Sequence, residues 1–123
     1  MKKLAILLAA AAALPAHAED IYERCTAQYP AMNNSVVYQC ASESSEAYKR
    51  KINRTYQKIY AALQQQDRQA AEHFEAAQKS WLAYRNRHCQ MMGQYVGSPM
   101  YEYCPMLLNK ARSEELEELS SSF

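Results

Sequence analysis

The sequence predicts an all-α fold: a small, disulfide-tied helical bundle made of a long antiparallel helix pair, residues 41–66 and 68–92, and a shorter C-terminal helix over residues 105–119. Three observations predict it. Two long segments repeat their apolar residues at steps of three and four, the spacing of one helix face. The 123-residue chain contains only 2 Gly and 4 Pro, too few turn-forming residues for a many-stranded sandwich or barrel. Its 4 Cys flank the helical middle in two evenly spaced pairs.

Before the helices comes a segment with a different purpose. Met1-Lys2-Lys3 is a short positive start, residues 4–14 are an unbroken apolar run, and Ala16-His17-Ala18 places small residues where a signal peptidase would cut. Residues 1–18 therefore read as a signal peptide, and residues 19–123 as a single helical domain. The apolar run is too short to span a bilayer, so no stable membrane insertion is expected after cleavage. The predicted location is periplasmic or secreted. Removing Lys2 and Lys3 leaves 14 − 2 = 12 basic residues against 13 acidic ones, a net charge of 12 − 13 = −1. Such a balance is unlike a nucleic-acid binder, which needs a strong cationic field.

Each element has its own local logic. Ile21, Tyr22, Cys25 and Tyr29 suit a short helix that Pro30 stops. Asn33, Asn34 and Ser35 form a loop able to cap the helix after it. In the first long helix Tyr48, Ile52, Thr55 or Tyr56, Ile59 and Leu63 make the inward stripe; Ser42 or Ser44 is placed to cap its start, with Glu43 and Glu46 at the positive end of the dipole. Lys49, Arg50, Lys51, Arg54 and Lys58 form a basic face. Residues 64–67 are the turn. The second long helix carries Ala70 or Ala71, Phe74, Ala77 or Gln78, Trp81, Tyr84 or Arg85, His88, and Met91 or Met92 on one stripe, and Gly93 fits as its C-cap. Residues 94–104 read as a loop turning at Gly97-Ser98-Pro99 and bearing Tyr95, Tyr101 and Tyr103. Pro105 fits the first position of the last helix, with Leu107, Leu108, Ala111, Arg112, Leu116 and Leu119 inward and Glu114, Glu115, Glu117 and Glu118 outward.

An exported chain with an even number of cysteines is expected to pair them. Fourteen residues separate Cys25 from Cys40, and fourteen separate Cys89 from Cys104, so local pairing is the simplest arrangement. In the chain-entropy model each such loop is worth about 3 kcal/mol. The competing arrangement joins Cys40 to Cys89, because an antiparallel hairpin brings those positions to one end, and leaves Cys25 for Cys104.

The residues exclude several chemistries. No Cys-x-x-Cys suggests zinc, no glycine-rich loop suggests a nucleotide, and no nucleophile elbow or His-Glu-x-x-His motif is present. The chain reads as a non-enzyme without cofactor or metal. On the helix pair, Gln78, Trp81 and Arg85 share one face and can meet Asn53 and Tyr56 across the hairpin. A satisfied network of that kind would set helix register, with Trp81 as the core anchor. Its functional alternative is a pocket in which Arg85 clamps a carboxylate.

Two stretches also carry a resemblance. One is Cys40-Ala41, Tyr48 and Ile52-Asn53-x-x-Tyr56. The other is Ala77-Gln78-x-x-Trp81-x-x-Tyr84-Arg85-x-x-x-Cys89, with Cys104 and Arg112-x-x-x-Leu116 after it. Together they resemble the LprI-type lysozyme-inhibitor N-terminal domain family over residues 25–119. Ile52, Asn86 and Asn109 depart from its usual residues. The resemblance implies a secreted helical domain with paired cysteines and a protein partner, with lysozyme the implied target. The candidate contact residues are then Tyr95, Tyr101 and Tyr103 together with Glu114, Glu115, Glu117 and Glu118; Asn53, Tyr56, Gln78, Trp81, Tyr84, Arg85 and Arg112 form the motif network. A structural envelope protein without a lysozyme target is the alternative, its basic and acidic faces pairing between subunits.

Overall fold

The structure, a computed structural model, describes residues 20–123; the export segment read at residues 1–18 lies outside them. The described residues form an all-α bundle of α1 (Ile21–Thr26), α2 (Asn34–Gln66), α3 (Arg68–Tyr95) and α4 (Met100–Ser120). Ala41 of α2 packs near Met106 of α4, and further along Ile52 packs near Leu116, so α2 and α4 run parallel. Cys89 and Gln78 of α3 meet Cys104 and Arg112 of α4 in the opposite order, so α3 runs antiparallel to its neighbours.

Side chains cap the starts of α1, α2 and α3 but not of α4, and two helix starts, those of α2 and α4, lie earlier than the sequence suggests. Asn33 is extended and accepts the amide of Val36 at 3.0 Å, so α2 starts at Asn34 rather than at residue 41. The extra turns are worth forming because they bury Val36 and Cys40 against Cys25, Tyr22 and Tyr29. Ser42 and Ser44 therefore cap nothing; Ser44 lies inside α2, where its hydroxyl donates to the Cys40 carbonyl at 2.7 Å. The turn between α2 and α3 shrinks to Asp67, extended itself, whose carboxylate accepts the amide of Ala70 at 3.1 Å.

The second revision concerns the tyrosine-bearing loop. Gly93 does not end α3, which continues to Tyr95. It is buried because the ring of Tyr101 lies where a β-carbon would be. The connection is only residues 96–99, turning at Gly97 with φ 155°, and α4 begins at Met100. Pro105 thus sits inside α4, not at its first position. It has no N–H for the Tyr101 carbonyl. The Cys89–Cys104 bridge and the Tyr101–Gly93 contact hold the helix across that defect.

The disulfides are local, Cys25–Cys40 and Cys89–Cys104, with Cα separations of 5.5 and 5.4 Å. They staple α1 to α2 and α3 to α4. The two stapled pairs are then joined chiefly by α2 packing on α4. This seam is lined by small and polar side chains. Ala41, Ser44, Asn109 and Ser113 are all fully buried, and Ser45 nearly so. The inward face of α4 is therefore Met106, Asn109, Ser113 and Leu116, while Leu107 and Leu119, expected inside, are exposed at 44% and 40%. Further along, Ile52, Ile59 and Leu116 form an apolar cluster edged by Tyr56, Leu63, Phe74 and Trp81. Trp81 borders this core and is only half-buried.

Polar bonds lock the seam. Asn109 donates from Nδ2 to Ser45 Oγ at 2.8 Å and accepts from Arg85 Nη1 at 3.0 Å. Asp20 caps α1 and also accepts from the Tyr48 hydroxyl at 3.0 Å and the Lys110 ammonium at 2.7 Å. Partial burial opposes the charge on Asp20, but the bonds from Lys110, Tyr48 and the Glu23 and Tyr22 amides outweigh it and hold the carboxyl below its ordinary 3.8. Burial, then the bond to Asp20, pushes Tyr48 up to about 12.

Asn109→Ala should cost about 2–3 kcal/mol in chemical denaturation, since it removes a bond and leaves Ser45 and Arg85 without their buried partner. An unchanged midpoint would show the seam to be held by packing alone. Gly93→Ala should cost about 1–3 kcal/mol by forcing Tyr101 off α3. For Asp20 the depressed pKa means stabilisation present above pH 3.8 and lost as pH falls through the lower folded value. For Tyr48 the sign is opposite: stabilisation present below pH 10 and lost as pH rises toward 12. Unfolding free energies of Asp20→Asn across this range should show a smaller acid-side fall than those of the parent chain.

Candidate functional site

The sequence places Asn53 and Tyr56 opposite Gln78, Trp81 and Arg85, and the structure brings these side chains to one cleft between α2 and α3. The cleft has a volume of about 350 Å³. Lys49 and Gln57 extend its α2 wall, and Leu82 extends its α3 wall. Helical spacing explains the set. Residues 49, 53, 56 and 57 recur at three and four along α2, as do 78, 81, 82 and 85 along α3.

The hydrogen-bond network among the described residues takes a different route from the one expected. It does not cross directly from α3 to Asn53 and Tyr56; it runs through α4. Arg85 reaches Asn109, and Arg112 donates from Nε and Nη2 to Gln78 Oε1 at 3.0 and 2.9 Å. The guanidinium carbons of Arg85 and Arg112 lie 5.3 and 5.7 Å from the Trp81 ring centroid, within cation–π range. Tyr56 stacks on Phe74 at 4.8 Å between centroids. Tyr84 lies outside the cleft, exposed and stacked on His88 at 5.3 Å.

Charge is unevenly satisfied here. Arg112 has Glu115 at 3.7 Å. Arg85 is half-buried, and no ion pair joins it to a carboxylate among the described residues. Its Nε and Nη2 donate instead to Asn86 Oδ1, at 3.1 and 2.9 Å. Burial lowers its pKa from the ordinary arginine value, with Glu46 only partly countering that effect through space.

The other candidate residues divide into separate places. Tyr95 and the neighbouring Val96 stand out at the α3–α4 turn, 78% and 65% exposed. Tyr38 of α2, also exposed, lies beside the same turn in a shallow depression shared with Ser98 and Pro99. These side chains make an apolar tip. Tyr101 is partly exposed but covers Gly93, and Tyr103 turns inward, edge-on to Tyr22 at 5.5 Å. Glu114, Glu115, Glu117 and Glu118 are exposed on α4. At 1.5 Å per residue they lie about 21–27 Å from the start of α4, so tip and acidic face are distinct surfaces. The basic and acidic faces already meet inside the chain, where Lys51 pairs with Glu117 at 2.8 Å.

Some of these residues escape sequence reading. Tyr38 joins the tip only because the bundle brings the start of α2 beside the α3–α4 turn, whereas Val96 belongs to that turn itself. Asn109 and Ser45 sit on helices whose relative placement the sequence leaves open. Lys49 and Gln57 could have been found from their spacing to Asn53. Among the described residues no group of three or more His, Cys, Asp or Glu is placed to hold a metal ion. No described helix is long and apolar enough to cross a membrane.

Comparison with known proteins places this architecture. The chain is similar to an uncharacterized protein of Rhizobium meliloti (strain 1021), 29% identical over 136 residues that cover 97% of this chain and 93% of the relative. No solved structure matches it. The model of the family described as lysozyme inhibitor LprI matches residues 25–116, a span that contains both disulfides, the α2–α3 cleft and the α3–α4 turn. By that match the chain belongs to the LprI family.

Proposed function

We propose that the protein is exported and inhibits a lysozyme by direct contact, using the apolar tip as its anchor and acting as no enzyme itself. The observation that carries this reading is membership of a family described as lysozyme inhibitors, matched across residues 25–116. The start of the sequence supports export through its basic residues, apolar run and small-residue cleavage point. Two disulfides suit an oxidising compartment.

A lysozyme cleft is concave and holds two carboxylates. Its blocker must protrude and must offer donors. Tyr95 and Tyr38 do both: each has a rigid ring that loses little entropy on contact and a hydroxyl that can donate. The Cys89–Cys104 bridge lies behind the turn and keeps the tip preformed, which limits the ordering cost of association. Glu114 and Glu118 give the same molecule a negative surface toward a cationic partner, favouring encounter more than final affinity.

Purified protein should slow lysis of a bacterial cell-wall suspension by an animal-type lysozyme. Tyr95→Ala should weaken inhibition about tenfold or more, as loss of an anchoring aromatic does, without moving the melting temperature. The double change Glu114→Gln with Glu118→Gln should chiefly slow association and flatten its salt dependence. Absence of both binding and inhibition at micromolar protein, across lysozymes of several types, would remove this reading.

A further inference from the structure

The cleft has features that tip-anchored inhibition does not use. It is concave, so it cannot enter the recessed site of another enzyme. Arg85 lies on α3 about 15 Å from Tyr95 along the helix axis. Its guanidinium is half-buried, held by amide oxygens of Asn86 and Asn109, and not ion-paired to any described carboxylate. One N–H on each terminal nitrogen remains beyond those bonds. A cation kept partly from water, with no direct ion pair and only the through-space field of Glu46 as counter-charge, is incompletely satisfied, and an anion entering beside it would relieve that deficit. Lys49 on the opposite wall can assist. Its present partner is Glu46, in an exposed pair at 2.8 Å of the kind that exchanges partners at little cost.

The remaining lining narrows the ligand. Trp81 and Leu82 offer apolar surface beside the cations, over a floor formed by the buried Ile52. Asn53 and Gln57 are exposed on the α2 wall, and each carries an amide able to donate and accept. A cation, an apolar patch and side-chain amides within one cleft of about 350 Å³ match an acylated amino acid in both size and chemistry. A bare inorganic anion would leave the apolar wall and the amides unused. A plain fatty acid would leave the amides unused.

We propose that the α2–α3 cleft binds the carboxyl end of a short peptide with an apolar last residue, its carboxylate on Arg85 and Lys49, its side chain against Ile52, Trp81 and Leu82, and its last amide on Asn53 and Gln57. Such recognition joins a charge-assisted fork to backbone-like hydrogen bonds, a recurring way of capturing chain ends. It is independent of lysozyme inhibition.

Trp81 is the only tryptophan of the chain, so intrinsic fluorescence reports on this cleft. The probe is acetyl-alanyl-leucine with a free carboxyl group, titrated against the same peptide as its carboxamide. The acid should give a saturable change that weakens with added salt, and the carboxamide should bind about tenfold more weakly or not at all, as loss of a charge-assisted bond implies. Lys49→Gln should weaken binding of the acid severalfold, and Arg85→Lys about tenfold because it keeps charge but loses the fork. Melting curves accompany both variants. Lys49 is half-exposed and its ion pair with Glu46 is on the surface, so its variant tests the site even if Arg85→Lys is destabilised. Equal responses to acid and carboxamide, no response to either at millimolar peptide, or a folded Lys49→Gln protein that binds the acid unchanged would overturn the proposal.

Discussion

The fold depends on the seating of α4 against α2, and Asn109 lies fully buried in that contact. Its side chain is fully buried and touches a partner on each side. Chemistry dictates its orientation. Arginine can only donate, so the amide oxygen must face Arg85, and the NH2 group is left for the Ser45 hydroxyl. One side chain therefore joins α3, α4 and α2. Around it Ala41, Ser44, Ser45 and Ser113 keep the seam narrow, because none is large enough to hold the helices apart. The serine hydroxyls are not left bare: Ser44 donates to the Cys40 carbonyl and Ser113 to that of Lys110, each at 2.7 Å. A seam of this kind derives its strength from close packing and full polar satisfaction rather than from bulky apolar burial.

Stiffness is distributed unevenly along the bundle as a result. Both disulfides, the Asp20–Tyr48–Lys110 cluster and the Asn109 joint lie toward the end carrying the α3–α4 turn. Past Leu116 the α2–α3 hairpin extends with the Phe74–Tyr56–Tyr60 stack and the Asp67 cap as its main supports. Rigid backing behind the tip and a lighter hairpin beyond the cleft suit a molecule that presents a preformed contact surface at one end. That arrangement requires no loop ordering at the moment of contact.

The helical core was legible from periodicity because Tyr48, Ile52, Ile59 and Gln78 obey it, and the cleft residues Asn53, Tyr56, Trp81 and Arg85 were legible from the same spacing. Even cysteine spacing favoured the pairing that the structure contains, although geometry alone left a rival. Local rules failed where a distant contact outweighed them. Pro105 follows the preference for a first helical position, yet α4 starts earlier because Cys104 is tied to Cys89 and Tyr101 needs to lie on Gly93. Gly93 looks like a cap for the same reason that it serves as a seat: both uses need the missing β-carbon. The inward face of α4 was misjudged because Leu107 and Leu119 are the more apolar choices, while parallel packing on a groove of small residues selects Asn109 and Ser113. Such a choice depends on which helix lies alongside, information absent from any one segment.

Arg85 links the structural and the recognition sides of the molecule. Its Nη1 supports the helix seam through Asn109, while the same guanidinium lies by the cleft and over Trp81. Had a carboxylate of the chain filled the role of Asn86 or Asn109, the charge would be neutralised in place and the cleft would have little pull on an anion. Amide oxygens hold the fork in position without cancelling its charge. The neighbouring Arg112 illustrates the contrast, since Glu115 accompanies it at 3.7 Å while Gln78 fixes its geometry. Two arginines beside one tryptophan are thus unlike in their electrostatics. Arg112 is largely a structural clamp. Arg85 is a clamp that keeps its charge available, and that difference is what gives the cleft a direction in which to bind.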